Sequence, residues 1–488
     1  MSNSETVSII INILILLYII LIFATNIKVI QESKNSSKAL GHLLLINMVP
    51  VIGVIAFYTF GVNHRKERIF ERKLDVDTKE NEQRLENIEK STLHLIDEHN
   101  LKSESSLIRF LLKNSKSPLT ANNTVELVIN GEQKMPQLMD AINNAKNHIH
   151  LMYYIFENDE TGRSVEEVLI KKAKEGVSIR FIYDDLGSST IQGSMEQRLK
   201  DAGIRIYPFH NLTFGKLTDR LNYRNHRKIV VVDGQTGFIG GINISNSYVN
   251  DIKLNNKVYW RDTHLKIAGE AVHHLQFIFL CDWNFCSKEN LKPTKLLFPQ
   301  IKYHPRPTLV QLVASGPDSP TPSIMYSILQ SISSAEKEIL ITTPYLIPGN
   351  EIQAALIIAA QRGISVSLLV PKKSDSRIVE LASSSYFEDF LRAGIAIYRY
   401  EKGFVHAKSM VVDRKMSTVG TANMDVRSFD LNFEVNAIVY DEDISKALAE
   451  AFESDCKEAS LLELEDWSER SKTTRFKENS ARLLSPVL

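Results

Sequence analysis

The sequence predicts an α/β protein with two packed domains related by a pseudo-twofold axis, preceded by an N-terminal hairpin of two transmembrane helices. Two charge-free apolar stretches predict the hairpin, and a long internal duplication predicts the paired domains. In each copy, apolar strand-like runs alternate with amphipathic helical stretches, which is typical of α/β layers around a largely buried sheet. With 488 residues, 43% of them hydrophobic, the chain is long enough for two or three domains with their own cores.

The hairpin comes first in the chain. The stretches 7–23 and 40–62 contain no charged residue, and each is long enough to cross a bilayer as a helix. A cleaved signal peptide is the alternative for the first stretch, but no Lys or Arg precedes it and a second apolar stretch follows. An excess of basic residues after the second stretch predicts that everything beyond residue 63 lies in the cytoplasm of a cell-membrane protein. These basic residues are Arg65, Lys66, Arg68, Arg72 and Lys73.

The chain divides into five parts. Residues 1–63 form the transmembrane hairpin, and 64–120 form a charged helical linker with apolar residues at intervals of three or four. The first α/β domain covers 121–292 and the second covers 308–488. The proline-rich segment 293–307 connects them.

The duplication is visible along both domains. Matching segments occur in the same order and at nearly the same offset, so the repeat is a duplicated domain and not a solenoid. The matching pairs are GVSIRFIYDDLGSS from Gly176 with GISVSLLVPKKSDS from Gly363, DAGIRIYPF from Asp201 with RAGIAIYRY from Arg392, and residues 142–156 with 332–346.

Each copy carries the same set of reactive residues at the same spacing. Both copies obey the pattern H-x-K-x4-D-x6-G-[GT]-x-N, the first in HRKIVVVDGQTGFIGGIN and the second in HAKSMVVDRKMSTVGTAN. Two occurrences in register within a duplicated frame are improbable by chance, so the pattern indicates function. The pattern residues are His226, Lys228, Asp233, Gly240, Gly241 and Asn243 in the first copy, and His406, Lys408, Asp413, Gly420, Thr421 and Asn423 in the second.

The spacing of histidine and lysine favours chemistry at phosphorus. On a strand the side-chain period is two, so His226 and Lys228 face the same way, as do His406 and Lys408. Two such strands meeting between the halves would place two imidazoles and two ammonium groups in one pocket. This set of groups suits an anionic phosphorus centre, whose nonbridging oxygens accept hydrogen bonds from lysine.

Asn243 and Asn423 are candidate phosphate-binding residues, because their amides can add neutral donors beside the lysines. The built-in cations leave no need for a divalent metal, and the sequence predicts neither a metal site nor a cofactor. Three cysteines, Cys281, Cys286 and Cys456, cannot form a disulfide framework and show no metal-ligand spacing.

The aspartates of the pattern, Asp233 and Asp413, belong to the candidate catalytic set, yet parity favours a structural role for them. Asp233 lies seven residues after His226, so on a regular strand it points to the opposite face and begins a tight turn. A catalytic imidazole still needs a carboxylate on its second nitrogen. Each half offers a later candidate for this orienting role, Asp262 in YWRDTH and Glu434 in LNFEVN.

The paired motifs resemble those of the phospholipase D superfamily, and more closely those of its bacterial cardiolipin synthases. The resemblance covers nearly the whole chain, with Gly241 and Thr421 standing where many relatives have serine. The segments that carry it include PVIGVIAFYTFG, YDDLGSS, YRNHRKIVVVDG, YWRDTHLKIAG, FIFLCDWNF, TTPYLIP, FVHAKSMVVD, GTANMDVRSFDLNFEVN and ARLLSPVL.

The resemblance implies a reaction between two membrane lipids. One phosphatidylglycerol donates its phosphatidyl group to a histidine, glycerol leaves, and a second phosphatidylglycerol attacks the phosphohistidine to give cardiolipin. Family precedent makes His226 the nucleophile and His406 the acid and then the base, although the motifs are alike enough for the roles to be exchanged. The resemblance implies phosphatidylglycerol and membrane lipids as partners and leaves the oligomeric state open.

Two other function classes stay open at the level of sequence. In a hydrolase of the same superfamily, either a phospholipase D or a nuclease, water would resolve the phosphohistidine. A nucleic-acid partner is disfavoured by the hairpin and by the balance of 58 basic against 58 acidic residues. A membrane scaffold without activity would be expected to have lost a histidine or lysine from the motifs, and none is lost.

Overall fold

The computed structural model describes residues 3–32, 36–58, 78–209, 223–254, 258–302 and 307–485. The chain separates into two compact units, one of residues 1–69 with 212–223 and a larger one of 70–211 with 224–488. The basic run 65–73 and the connector residues 303–306 lie outside the described residues, and what the sequence indicates about them stays a prediction.

The N-terminal unit contains one long apolar helix. Helix Asn3–Glu32 includes the segment Thr6–Gln31, whose mean hydropathy is 3.0, and within the described residues this is the helix that is long and apolar enough to cross a membrane. Its aliphatic side chains point outward, as is typical of a helix surrounded by lipid. The structure therefore agrees with an apolar N-terminal anchor.

The predicted second transmembrane helix is interrupted. Helix Ser36–Met48 ends before Pro50, where a new helix, Pro50–Ala56, begins. The proline ring is incompatible with a helical residue before it, and Val49 has φ −135° and ψ 72°. A thirteen-residue helix measures only about 20 Å, which is short of a bilayer core. The structure thus supports one clear spanning helix, and the sequence prediction of two continuous spans is not confirmed.

The larger unit is built from alternating strands and helices. Its strands are β1 Leu119–Ile129, β2 His148–Tyr153, β3 Ser178–Tyr183, β4 Arg205–Pro208, β5 Ile229–Val232, β6 Thr236–Gly240, β7 Tyr259–Arg261, β8 Thr263–Gly269, β9 Thr308–Ser315, β10 Glu338–Thr342, β11 Leu346–Ile347, β12 Ser365–Pro371, β13 Ala396–Tyr400, β14 Gly403–Val405, β15 Ser409–Val412, β16 Met416–Gly420, β17 Met424–Asp425, β18 Glu434–Tyr440 and β19 Ala459–Leu461. Its helices are Thr78–Glu98, Ser105–Ser115, Asn130–Asn144, Glu160–Lys174, Ser194–Asp201, Ala271–Ser287, Ser323–Ser334, Gly349–Gln361, Arg377–Arg392, Val426–Asp430, Glu442–Cys456, Leu464–Ser468 and Lys472–Arg482.

Fifteen of these strands form one continuous sheet that repeats the same order in each half. From the centre outward, the first half runs β1, β8, β6, β5, β2, β3, β4 and the second runs β9, β18, β16, β15, β10, β12, β13, with β19 at its outer edge. Strands β1 and β9 join the halves as an antiparallel pair. The duplication predicted from sequence is therefore present, and the two copies share one sheet.

Several strands within each half are buried on both faces, because helices cover both sides of the sheet there. All six residues of β2 and all four of β5 are buried, and each half has its own apolar core. Part of the predicted linker joins the second core, since Leu107 and Leu111 of helix Ser105–Ser115 are buried against Ile324 and Ile328. These leucines are spaced one turn apart and give the short helix an apolar face.

Candidate active site

The two histidines are held by backbone pairing between the halves. Strand β14, which ends just before His406, pairs in parallel with β7, and the His406 N–H donates to the carbonyl of Arg261 at 2.7 Å. In the same way the His226 N–H donates to the carbonyl of Phe433 at 3.0 Å. Each histidine is thus tied to the residue that precedes a carboxylate of the opposite half.

This pairing produces two exchanged dyads. The Nδ1 of His226 lies 3.0 Å from both carboxylate oxygens of Glu434 and 3.1 Å from the carbonyl oxygen of Thr421. The Nδ1 of His406 lies 2.7 Å from Oδ2 of Asp262. The structure therefore pairs each histidine with a carboxylate, and each carboxylate serves the other half's histidine. The exchange itself leaves no signal in the sequence, because either pairing would satisfy the motif.

The two lysines lie beside the histidines. The Lys228 ammonium donates to the carbonyl of its neighbour His226 at 2.8 Å, and Lys408 Nζ lies 3.0 Å from Nδ1 of His406. Both lysines are almost fully buried. Burial lowers the pKa of Lys228 to about 7, with a further contribution from the charge of Lys408. Burial also lowers the pKa of Lys408 to about 8.

Electrostatics shows that the groups from both halves share one environment. Burial lowers the pKa of both imidazoles, and that of His406 falls to about 4. The positive charges of Lys408 and Lys228 add to this in both cases. Burial by itself would raise the pKa of Asp262 and of Glu434, yet the adjacent imidazoles and lysines outweigh it and hold both below their usual values. The two lysines thus supply the positive charge that an anionic ligand requires, beside two ionised carboxylates.

The lysine pKa values predict a pH dependence. Each ammonium loses its proton as the pH rises through its pKa, so the free enzyme has less positive charge for an anionic phosphodiester above about pH 7 to 8. We expect kcat/KM to fall above this range. Where the deprotonation of a single lysine limits the rate, the decrease should approach tenfold per pH unit. Bound substrate restores the ammonium form, so kcat should fall less steeply. A pH profile of both parameters, measured with Lys228→Arg as the comparison, tests this; a kcat/KM that stays constant to pH 9.5 would contradict it.

Position 421 supports one dyad in a way that position 241 cannot. The Thr421 hydroxyl donates to Oε2 of Glu434 at 2.5 Å. A Cβ built on Gly241 would lie 2.1 Å from Oδ1 of Asp262, so the carboxylate occupies the space that a side chain would need. The Gly241 N–H donates to the carbonyl of Thr263 at 2.9 Å and is therefore engaged within the protein.

The two motif aspartates lie away from the imidazoles, on the turns after β5 and β15. The Asp233 carboxylate accepts from the backbone N–H groups of Lys146, Asn147 and His148 at 2.7 to 2.8 Å. Its φ of 53° places it in the left-handed region that a tight turn requires. Asp413 repeats this geometry with a φ of 52°. Its carboxylate accepts from the N–H groups of Glu336, Lys337 and Glu338. In these positions the aspartates fasten the turn to the start of the neighbouring strand, which is the kind of structural role that parity favours for them.

The two asparagines predicted to bind phosphate use their side chains within the protein. The Asn243 amide donates to the hydroxyl of Tyr248 at 2.6 Å and accepts from the N–H of Ile155 at 3.1 Å. The Asn423 side chain hydrogen-bonds to Asp425. Each amide nitrogen uses one of its two N–H donors in these contacts, and phosphate binding by the two asparagines stays a prediction.

Several buried polar residues near the site were not predicted from the sequence, where they lie outside the repeated His–Lys pattern or beside it. Arg224 forms a buried ion pair with Asp184 of the YDDLGSS segment, and Arg227 forms another with Asp282. Tyr154 contacts the His226 ring at a centroid distance of 4.8 Å. An arginine beside a histidine motif is a usable signal, but its carboxylate partner is distant in sequence and cannot be chosen without the fold. Within the described residues, no group of three or more His, Cys, Asp or Glu is placed to hold a metal ion.

Comparisons with known proteins identify relatives of the whole chain. The family model described as "Cardiolipin synthase, PLD-like domain" matches residues 138–283 and 328–456. A cardiolipin synthase of Geobacillus sp. (strain WCH70) is 41% identical over 461 residues, covering 94% of this chain and 90% of the relative. The major cardiolipin synthase of Bacillus subtilis (strain 168) is 39% identical over 480 residues, covering 97% and 98%. The crystal structure of phosphatidylserine synthase from Haemophilus influenzae has the same fold, with a TM-score of 0.59 at 14% identity over 78% of this chain and 99% of that one.

Proposed function

This chain belongs to the cardiolipin synthase family with phospholipase D-like domains, and on that premise we propose that it joins two phosphatidylglycerol molecules into cardiolipin and releases glycerol. The observation that carries the proposal is the pair of exchanged dyads, His226 with Glu434 and His406 with Asp262. Two histidines, each oriented by a carboxylate, provide one nucleophile and one acid for a two-step transfer at phosphorus.

In the first step His226 is the nucleophile. A proton on its Nδ1, donated to Glu434, leaves the lone pair of Nε2 free to attack phosphorus. The bond from phosphorus to the glycerol oxygen breaks, and His406 protonates that oxygen as it leaves. The anionic phosphodiester beside His406 favours its protonated form, which opposes the effect of burial on its pKa.

In the second step the terminal hydroxyl of another phosphatidylglycerol gives its proton to His406 and attacks the same phosphorus. The phosphorus–nitrogen bond breaks and His226 is regenerated. Lys228 and Lys408 stabilise the charge on the nonbridging oxygens in both steps. Since a covalent intermediate keeps the energy of the original phosphodiester, the transfer needs no nucleotide, and no step in this scheme requires a metal or cofactor.

We further propose that both N-terminal apolar stretches are embedded in the cell membrane as a hairpin, with the larger unit on the cytoplasmic side among its lipid substrates. The basic run after residue 63 supports this orientation. The native cysteines Cys281, Cys286 and Cys456 offer a test, because an impermeant maleimide should label them only after cells are broken. Labelling in intact cells would contradict the orientation.

The activity itself can be tested with purified full-length protein in micelles that contain labelled phosphatidylglycerol. We expect cardiolipin and free glycerol in equal amounts in the presence of a chelator and without nucleotide. Phosphatidic acid as the only lipid product would identify a hydrolase of the same superfamily, and an absence of turnover would contradict both activities.

A further inference from the structure

The two histidines have matching motifs but different surroundings. The His406 ring packs among three aromatic rings, with centroid distances of 5.2 Å to Trp260, 5.6 Å to Tyr248 and 5.8 Å to Phe404. We call these three residues the aromatic wall. Within the described part of the chain, His226 has a single such ring contact, with Tyr154. The wall therefore distinguishes the surroundings of His406 from those of His226.

The duplication allows the residues around the two histidines to be compared position by position. Each member of the aromatic wall has an equivalent in the other half, found by counting from the matching histidine, carboxylate or motif asparagine. The equivalents around His226 are all polar. Phe404 corresponds to Arg224, Trp260 corresponds to Asn432, and Tyr248 corresponds to Ser428.

The polar equivalents take part in hydrogen bonds at the His226 end. Arg224 pairs with Asp184, and Asn432 donates to Oε1 of Glu434 at 3.1 Å. The Ser428 hydroxyl accepts from the N–H of Asn423 at 3.2 Å. The three positions of the wall are therefore aromatic beside His406, whereas their equivalents beside His226 are polar.

The aromatic wall is a fixed part of the interface between the halves. Phe404 and Trp260 are paired residues of β14 and β7, and their rings lie 4.9 Å apart. The Trp260 backbone exchanges two hydrogen bonds of 2.8 Å with the side chain of Asn250. The Tyr248 ring completes the group at 4.7 Å from Trp260. Rings held in this way provide a preformed surface for a ligand.

The reaction geometry places the acceptor at this end. In a displacement at phosphorus, the attacking and leaving groups lie on opposite sides. With the phosphatidyl group on His226, the leaving glycerol and then the incoming alcohol must lie beside His406. We propose that the aromatic wall selects the acceptor, packing the carbon backbone of a glycerol headgroup against its rings and providing few hydrogen bonds for water. This inference rests on the proposed function, since it assumes the intermediate on His226.

The two competing outcomes differ only in the acceptor. In either case an O–H group gives its proton to His406, a new oxygen–phosphorus bond forms, and the bond from phosphorus to His226 breaks. A glycerol hydroxyl of phosphatidylglycerol yields cardiolipin, whereas water yields phosphatidic acid. The product ratio therefore reports acceptor choice independently of how fast the intermediate forms.

The test measures the ratio of cardiolipin to phosphatidic acid made by the full-length protein from labelled phosphatidylglycerol in micelles. We expect Trp260→Ala and Phe404→Leu each to lower this ratio by about tenfold, as loss of one apolar contact surface typically does for discrimination between substrates. Consumption of phosphatidylglycerol should fall much less. Phe277→Ala is the matched control, because Phe277 is 41% exposed on helix Ala271–Ser287 and lies outside the wall, so it should leave the ratio unchanged.

The outcomes separate this inference from the proposed function. If the parent enzyme makes cardiolipin and both variants keep its product ratio, the role of the wall in acceptor choice is overturned. If the parent enzyme makes phosphatidic acid alone, the proposed function fails instead. If Trp260→Ala loses turnover, the product ratio is measured with the milder variants Trp260→Phe and Trp260→Leu. A product ratio equal to that of the parent enzyme in both of these variants also overturns the inference.

Discussion

The His226→Asn variant is expected to lose cardiolipin synthesis by at least about a thousandfold and to form no covalent intermediate, because asparagine cannot replace the attacking imidazole. The measurement is trapping of the phosphorus-labelled enzyme by rapid base quench, since the phosphorus–nitrogen bond is labile in acid, followed by mapping of the modified peptide. The parent protein should carry the label at position 226.

The His406→Asn variant should behave differently, because an acid is needed only when the leaving group is poor. With phosphatidylglycerol we expect a loss of about 10²- to 10⁴-fold. With a phosphatidyl ester of p-nitrophenol, whose anion leaves without protonation, this variant should still release one equivalent of p-nitrophenolate in a burst. A burst from His226→Asn and none from His406→Asn would exchange the two roles.

The second large effect concerns the exchanged carboxylates. We expect Asp262→Asn to lower kcat by about a hundredfold or more, since the amide cannot hold the His406 imidazole in the required tautomer or stabilise its positive charge. Because Asp262 orients the histidine of the other half, this variant should keep the p-nitrophenolate burst. Glu434→Gln, which affects His226, should lose it.

The motif aspartate provides the control for both variants. Asp233→Asn keeps the size of the side chain but cannot accept three backbone N–H groups in the same geometry. We expect it to lower the thermal unfolding midpoint by several degrees while the folded fraction retains a kcat within a few fold of the parent. An inactive but fully stable Asp233→Asn, together with an active Asp262→Asn, would reverse these assignments.

Much of the fold could be predicted from the sequence, because repeated patterns are local. The duplication, the alternating strands and helices and the His–Lys spacing all depend on residues close in the chain. The interruption of the second apolar stretch at Pro50 could also have been predicted from the sequence, since a proline inside a helical pattern ends or bends the helix. The continuity of the sheet across the two halves could not be predicted, because the pairing of β1 with β9 joins segments about 190 residues apart.

The candidate site also has a part that could be predicted from the sequence and a part that could not. Parity indicated that Asp233 points away from the histidine, and the turn conformation explains why. The partner of each imidazole could not be predicted, because it depends on β7 lying against β14 and on Asn225 lying against Phe433. The asparagines illustrate a different limit, since Tyr248, whose hydroxyl accepts from the Asn243 amide, corresponds to Ser428 in the second copy, so the duplication does not repeat this contact.

The exchange of carboxylates makes the two halves mutually dependent. A fragment ending at the connector would contain His226 without Glu434 and Asp262 without His406, so its own motif would be intact while its histidine lacked the orienting carboxylate. Activity is therefore a property of the joined pair, and gene duplication with fusion would have turned an obligatory association of two polypeptides into one covalent chain.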